Sequence, residues 1–318
     1  MEKILVTGAC GQLGSELTAD LQSIYGTDNV IATDIVEPPE ALSDGPFERL
    51  DVMDRPALAG AAERHGITTI YHLAALLSAK AEQQIGKAWD LNMQGLLNVL
   101  ELARDGRFTK VFWPSSIAVF GPDARKEQTP QNSPCNPTTV YGISKLAGEQ
   151  WCSYYHRRFG VDVRSLRYPG LIGYKSLPGG GTTDYAVDIF YKALAGERFS
   201  CFLESQSRLP MMYMEDAVKA TIDLMRADPA SISVRTSYNL AAISFTPEEL
   251  AFEIQKHLPE FEISYEPDYR QQIAESWPDS IDDTAAREDW EWSPVYDLEK
   301  MVGDMLKNLE KELKQGIP

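Results

Sequence analysis

The sequence is poor in metal-binding and basic residues, and both shortages exclude classes of function. It has only 4 histidines and 4 cysteines in 318 residues. Cys10, Cys135, Cys152 and Cys201 are scattered, without a CxxC pair or paired histidine spacing. This predicts reduced thiols in the cytoplasm and no metal site. Lysine and arginine number 30 against 47 acidic residues, which argues against nucleic acids and anionic membranes as partners, because both bind basic surfaces.

Long apolar runs are also absent. No stretch approaches the roughly 18 apolar residues of a membrane span. The first apolar run, at residues 3–7, is short and meets a glycine at once, so it predicts a buried strand rather than a secretory leader. Hydrophobic residues still make up 43% of the chain. The length and composition therefore predict a globular protein of one large α/β unit or two domains, with ample core.

A glycine-rich turn follows the first predicted strand. Gly8, Gly11 and Gly14 precede a helical pattern of leucines. Such glycines permit a tight turn, let the backbone approach a pyrophosphate and let a helix pack on a strand. The free N–H groups and dipole of the helix N-terminus favour that anion. The spacing is GxxGxxG rather than GxGxxG, and a glycine-rich turn alone is equally typical of an ordinary loop.

An acidic residue at the end of the second predicted strand supports dinucleotide binding. Residues 29–33 are apolar and β-branched, and Asp34 follows them, 20 residues after Gly14. A carboxylate at this position binds the adenosine ribose hydroxyls. It also repels a 2′-phosphate, and no basic residue follows directly. The pattern therefore favours NAD over NADP.

Two further predicted strands, at residues 48–52 and 68–73, end in candidate cofactor contacts. Asp51 could accept a hydrogen bond from the adenine amino group or cap the next helix. Ala74 and Ala75 are small enough for a cofactor to lie close to the backbone. His72 lies within a strand and is expected to be a core histidine. Asn92, placed at the start of a helical pattern, could brace the site or cap and pack.

Tyr141 and Lys145 form the candidate proton-transfer pair. Their spacing predicts that both lie on one helix face, one turn apart. The ordinary tyrosine pKa is about 10, and a nearby ammonium lowers it. The pair could therefore move protons near neutral pH. A serine hydroxyl, from Ser116 or the neighbouring Ser115 at the end of the fifth predicted strand, could orient a reacting oxygen.

Several motifs occur in an order that resembles the extended short-chain dehydrogenase/reductase superfamily. They are TGACGQLG, Asp34, Asp51-Val52, HLAA at 72–75, Asn92, PSSIAVFG and YGISK. The resemblance implies an α/β, doubly wound parallel-sheet Rossmann fold with a smaller C-terminal substrate-binding domain. The NAD-binding domain would span 1–167 plus about 213–242, and the substrate-binding domain 168–212 and 243–318.

The same resemblance implies roles for individual residues. Tyr141 is the implied acid/base, Lys145 the residue that lowers its pKa and holds the nicotinamide ribose, and Ser116 the preferred catalytic serine. The implied NAD contacts are Gly8, Gly11, Gln12, Leu13, Gly14, Asp34, Asp51, Val52, Leu73, Ala74, Ala75, Asn92, Tyr141, Lys145, Tyr168 and Pro169.

Three segments of the second half, at 168–186, 209–218 and 276–289, are similar to the short-chain type of NAD-dependent L-threonine 3-dehydrogenases. This similarity implies oxidation of the threonine β-hydroxyl. The implied substrate contacts are Ser78, Ser116, Tyr141, Thr182, Thr183 and Trp277. Trp277 is equally compatible with ordinary packing, and the glycine-rich residues 179–181 with a plain linker. A homodimer formed through two helices, one following Asn92 and one carrying Tyr141, is implied as well.

Three other functions are open to a chain with these motifs. Nucleotide-sugar 4-epimerases share the first-half motifs but also bind a nucleoside diphosphate, for which they use basic residues; arginines are sparse in the second half. Dehydratases place an acidic pair beside the serine, where this chain has Ile117 and Ala118. Non-enzymatic redox sensors commonly lose the tyrosine or lysine, and both are present here. The sequence therefore favours the threonine dehydrogenase, with the epimerase as the alternative.

Overall fold

The computed structural model describes residues 2–177 and 181–315, in which strands and helices alternate. The strands are β1 (Ile4–Thr7), β2 (Val30–Asp34), β3 (Phe47–Arg49), β4 (Thr69–His72), β5 (Lys110–Ser116), β6 (Asp162–Tyr168), β7 (Gly170–Ile172), β8 (Phe199–Cys201), β9 (Leu209–Tyr213), β10 (Tyr238–Asn239), β11 (Ile243–Phe245) and β12 (Ile263–Tyr265). The helices are α1 (Gln12–Tyr25), α2 (Arg55–His65), α3 (Ser78–Gln83), α4 (Ile85–Arg104), α5 (Val140–Phe159), α6 (Tyr185–Leu194), α7 (Met214–Arg226), α8 (Pro247–Gln255), α9 (Arg270–Glu275), α10 (Thr284–Trp290) and α11 (Leu298–Gln315).

A seven-stranded parallel sheet forms the centre of the fold. Its strand order is β10-β6-β5-β4-β1-β2-β3, and β1 pairs with both β2 and β4. Successive strands therefore progress outward in opposite directions from β1, and the order reverses between β1 and β4. Open α/β sheets bind ligands in the crevice at such a reversal, beyond the carboxyl ends of the strands. The predicted doubly wound Rossmann fold is confirmed.

Two elements begin or end elsewhere than the sequence pattern predicts. The third strand ends at Arg49, so Asp51 lies in the following turn, where its side chain accepts a hydrogen bond from Met53 N at 2.9 Å. Asp54, rather than Asp51, caps α2. Helix α4 starts at Ile85 and not at Asn92. Its first turns expose apolar side chains, including Ile85 itself. The regular spacing of buried apolar residues therefore becomes evident only later in the helix.

The second half of the chain adds two small sheets. One has the order β11-β9-β7 and the other pairs β12 with β8. Helices α6, α8 and α11 pack around them, and Met301, Met305 and Leu309 of α11 are buried in their shared core. Helix α11 is therefore an amphipathic helix that is docked on the second half of the chain. The exact domain division stays a prediction. No helix in the described ranges is long and apolar enough to cross a membrane.

Candidate active site

A cavity of about 570 Å³ lies at the carboxyl ends of the central strands. It brings together residues that are far apart in sequence, from Gly8 to Trp277. The predicted site residues that line it are Gly8, Gly11, Gln12, Leu13, Gly14, Asp34, Asp51, Val52, Leu73, Ala74, Ala75, Ser78, Ser116, Tyr141, Lys145, Tyr168, Pro169, Thr182, Thr183 and Trp277. Asn92, another predicted cofactor contact, does not line the cavity.

The glycine turn is required by packing. Gly8 has φ 73°, and a Cβ added to it would lie 2.6 Å from Ala74 N. A Cβ added to Gly14 would lie 2.2 Å from Gly8 O. These contacts bring the N-terminus of α1 to the cavity, and no side chain caps it there. Its free N–H groups fit the diphosphate of a dinucleotide.

Asp34 lines the cavity, and its carboxylate is fixed by backbone hydrogen bonds. One carboxylate oxygen accepts hydrogen bonds from Ile35 N at 2.7 Å and Val36 N at 3.3 Å, and the other accepts from Cys10 N at 3.0 Å. The backbone thus holds the carboxylate beside the glycine turn. This orientation fits the two hydroxyls of an unphosphorylated ribose.

Asn92 braces the cavity wall from behind. It is 4% exposed. Its Oδ1 accepts from Leu76 N at 2.8 Å, and its Nδ2 donates to Leu76 O and to Ser144 Oγ, each at 3.1 Å. Ser144 in turn donates to Tyr141 O at 2.8 Å. In this structure the Asn92 amide is occupied by the loop after β4 and by the helix that carries Tyr141, and the cofactor contact implied for Asn92 stays a prediction.

Helix α5 approaches β5 closely enough to place Tyr141 against Ser116. A Cβ added to Gly142 would lie 2.2 Å from Ala118 O, and one added to Gly148 would lie 2.3 Å from the Trp113 ring. Only glycine permits this approach. As a result, Ser116 hydrogen-bonds the Tyr141 hydroxyl, and both line the cavity.

Burial shifts the pKa of both members of the pair. Burial raises the pKa of Tyr141 to about 12, against the lowering effect of the Ser116 hydrogen bond. Burial also lowers the pKa of Lys145 to about 7. The Lys145 ammonium donates to Pro114 O at 2.6 Å and lies 5.4 Å from the centroid of the Tyr141 ring. The implied role of Lys145 in lowering the pKa of Tyr141 stays a prediction.

The two adjacent serines at the end of β5 face different surroundings. Ser115 is 2% exposed, and its hydroxyl donates to Glu149 Oε1 at 2.6 Å. Glu149 also accepts two hydrogen bonds from Arg167, at 2.8 and 2.7 Å. The Ser115 hydroxyl is thus committed to a buried ion pair, while that of Ser116 faces Tyr141. Sequence reasoning missed this ion pair, although Glu149 continues the four-residue spacing of Tyr141 and Lys145.

The cavity wall also carries hydroxyl groups from three predicted substrate contacts. Ser78, Thr182 and Thr183 line the cavity together with Trp277. Thr182 is 4% exposed and Trp277 7% exposed, so the indole is both packed and part of the wall. Of the predicted glycine-rich loop, Gly181 donates to Asp184 Oδ2 at 2.8 Å; residues 179 and 180 lie outside the described residues.

The ionic composition of the cavity wall limits its chemistry. Within the described residues that line it, the cations are Lys80 and Lys145, and there is no arginine. No group of three or more His, Cys, Asp or Glu side chains in that part of the chain could hold a metal ion. What remains is a hydrogen-bonded tyrosine and serine beside a dinucleotide groove, which suits proton transfer to or from an alcohol oxygen.

Known proteins resemble this chain along nearly its full length. Residues 4–241 match the model of the NAD dependent epimerase/dehydratase family. An uncharacterized epimerase/dehydratase from Staphylococcus haemolyticus is 50% identical over 98% of this chain and 99% of its own. The holo form of an L-threonine dehydrogenase from Cupriavidus necator is 57% identical, with a TM-score of 0.95 over 96% of this chain and 99% of that one. A monomeric L-threonine 3-dehydrogenase from metagenome data is 48% identical, with a TM-score of 0.93 over 97% and 99%. The chain belongs to the NAD dependent epimerase/dehydratase family.

Proposed function

We propose that the protein is an L-threonine 3-dehydrogenase that oxidises the β-hydroxyl of L-threonine to L-2-amino-3-oxobutanoate with NAD. Solved relatives of this name align over almost the whole chain. The observation that carries the proposal within the structure is the shared cavity wall: Thr182, Thr183 and Trp277 line the same cavity as Tyr141 and Ser116. Hydroxyl groups beside the proposed acid/base suit a short zwitterion.

The cofactor is NAD, the cofactor of the family. When bound, NAD supplies the acceptor for the hydrogen that leaves the β-carbon. The N-terminus of α1 would hold the diphosphate, and Asp34 would accept hydrogen bonds from the ribose and repel a 2′-phosphate. Tyr168, Pro169 and Lys145 would hold the nicotinamide half.

Proton transfer falls to Tyr141 and Ser116. Oxidation requires a base for the hydroxyl proton, and Tyr141 takes that role as the phenolate. Ser116 holds the substrate oxygen and stabilises the charge that develops on it. The neutral phenol favoured by burial is the form that donates a proton in the reverse reaction, reduction of the ketone.

The direct test is to mix the purified protein with NAD and L-threonine and follow NADH absorbance. We expect NADH to accumulate with threonine and NAD, and far more slowly with NADP, because Asp34 faces the ribose. UDP-galactose is the control for the nucleotide-sugar epimerase. Conversion of UDP-galactose without NADH formation from threonine would overturn the proposal. The absence of arginine among the described wall residues leaves no bidentate partner for a second diphosphate, so no sugar conversion is expected.

We further propose that the protein forms a homodimer through α4 and α5. These helices pack against each other and carry a row of exposed apolar side chains: Trp89 on α4, and Ile143, Trp151 and Tyr154 on α5, between 39% and 47% exposed. Clustered exposed aromatic residues are typical of protein interfaces. Light scattering at micromolar concentration should give about twice the 35.5 kDa chain mass; a single-chain mass, as in the monomeric relative, would contradict the dimer.

The cytoplasm is the proposed compartment. The four cysteines, all within the described residues, are free thiols. Unpaired cysteines are typical of proteins kept in a reducing environment.

A further inference from the structure

Trp277 is held in the cavity wall by a lysine from a distant part of the chain. The Lys126 ammonium donates hydrogen bonds to Trp277 O, at 2.6 Å, and to Glu275 O. The carbonyl oxygen of Lys126 accepts from Asp279 N at 2.9 Å and from Ser280 N at 3.2 Å. Lys126 thus binds the backbone on both sides of the Trp277 side chain.

The contact continues as a short pairing of two segments. Thr129 and Ile281 form a parallel β-bridge. Thr129 N donates to Ser280 O, and Asp282 N donates to Thr129 O, each at 3.0 Å. Gln128 takes a left-handed φ of 49° and donates its N–H to Ser280 Oγ at 2.8 Å. Within residues 126–129, Lys126 is the one whose side chain hydrogen-bonds the backbone of Trp277 itself.

Lys126 belongs to the loop that joins the two proposed catalytic groups. This loop leaves β5 after Ser116 and enters α5 just before Tyr141. Its two ends meet closely, since a Cβ added to Gly121 would lie 1.8 Å from Asn136 O. Asn136 also donates to Asp123 Oδ2 at 2.9 Å. A loop closed in this way holds Lys126 at a defined place relative to Ser116 and Tyr141.

We propose that Lys126 is a positioning residue that sets the Trp277 indole as the wall facing the catalytic pair. Its ammonium satisfies carbonyl groups at the end of α9, where the helix itself provides no N–H partner. Trp277 is 7% exposed and lines the cavity, so a shift of its backbone changes the space that a substrate occupies. Lys126 acts only through Trp277. The inference rests on the proposed function, because it takes Trp277 as a substrate contact.

Kinetics of Lys126→Met provide the first test. We expect the KM for L-threonine to rise about tenfold, because small displacements of positioning groups have large effects, while kcat and the KM for NAD change less than about twofold. Lys110→Met is the matched control: Lys110 donates to Met225 O at 2.8 Å, at the C-terminal end of α7, and does not line the cavity. Lys126→Arg, which keeps a donor, should restore much of the affinity. Equal threonine KM values for Lys126→Met and Lys110→Met would overturn the proposal.

A second measurement does not depend on turnover. The six tryptophans can be labelled as 5-fluorotryptophan, and the ¹⁹F resonance of Trp277 assigned from its loss in Trp277→Phe. Lys126→Met should shift or broaden that resonance and leave the Trp290 resonance in place. An unmoved Trp277 resonance would refute the positioning role. A moved resonance in a protein that does not oxidise threonine would refute the proposed function and leave the positioning role standing.

Discussion

Tyr141→Phe is expected to lower threonine-dependent NADH formation by about 10²–10⁴-fold, the range that a positioned acid or base contributes. The substitution removes only the hydroxyl that Ser116 hydrogen-bonds and keeps the ring in the cavity wall. The loss should appear in kcat at saturating threonine and NAD. NAD affinity, measured by titration calorimetry, should remain close to that of the unmodified protein, since the diphosphate and ribose contacts lie elsewhere.

Tyr155→Phe is the matched control for this variant. Tyr155 is a buried tyrosine on the same helix, its hydroxyl donates to Glu101, and it does not line the cavity. It should keep its turnover even if the protein loses some stability. Full activity in Tyr141→Phe would remove the phenol from the mechanism.

The rates of threonine oxidation and of the reverse reduction should depend differently on pH. Burial raises the pKa of Tyr141 to about 12, so raising the pH increases the phenolate fraction. Threonine oxidation by the unmodified protein should therefore accelerate from neutral to alkaline pH, whereas reduction of the ketone, which uses the phenol, should change little until the pH approaches that pKa. Residual activity of Tyr141→Phe should lack this alkaline rise.

Arg167→Leu is expected to lower the free energy of unfolding by about 3–5 kcal/mol, the cost of removing one partner of a buried ion pair. Glu149 is 0% and Arg167 5% exposed, and the pair is bidentate. Arg167 also donates to Gln131 O and to Asn239 Oδ1, each at 3.1 Å. Without the guanidinium, the carboxylate stays buried with Ser115 as its remaining hydrogen-bond donor. Urea unfolding measures the difference.

Two controls distinguish lost pairing from general damage. Arg208→Leu breaks an ion pair with Glu249 whose side chains are 37% and 45% exposed; it should cost less than about 1 kcal/mol, as exposed pairs do. The double variant Glu149→Leu/Arg167→Leu should be more stable than Arg167→Leu, because it leaves no uncompensated charge. If Arg167→Leu costs no more than Arg208→Leu, the buried pair does not stabilise the fold as argued.

Local patterns in the sequence are sufficient to predict the residues of the glycine turn and Asp34 as cofactor contacts. Gly8, Gly14 and Asp34 belong to one βαβ unit, in which strand, turn and helix follow each other directly, so spacing along the chain fixes spacing in the fold. Tyr141 and Lys145 are likewise one helical turn apart. No such local pattern indicates the substrate contacts Ser78, Thr182, Thr183 and Trp277. They were predicted from the resemblance to a known family.

Contacts between distant segments were not predictable in this way. Lys126 and Trp277 are separated by 151 positions, and nothing near either residue indicates the other. Arg167 is one of two arginines in β6, and the sequence of that strand gives no sign of the partner on α5. Helix α4 starts earlier than the spacing of its buried residues indicates, and the hydrogen bonds of Asn92 to the loop after β4 have no signal in the local sequence. The charge state of Lys145 depends on burial, which pairwise spacing does not reveal.

The pairing of residues 126–129 with 279–282 also determines how the cavity can open. These segments are hydrogen-bonded to each other, so the wall that carries Trp277 is joined to the loop between the proposed catalytic residues. Opening on that side would separate Ser116 from its neighbours and disturb the site at every turnover. Entry and exit are therefore expected on the other walls, where Leu77 and Leu177 line the cavity and remain 60% and 62% exposed. The reacting end can thus stay assembled while molecules are exchanged.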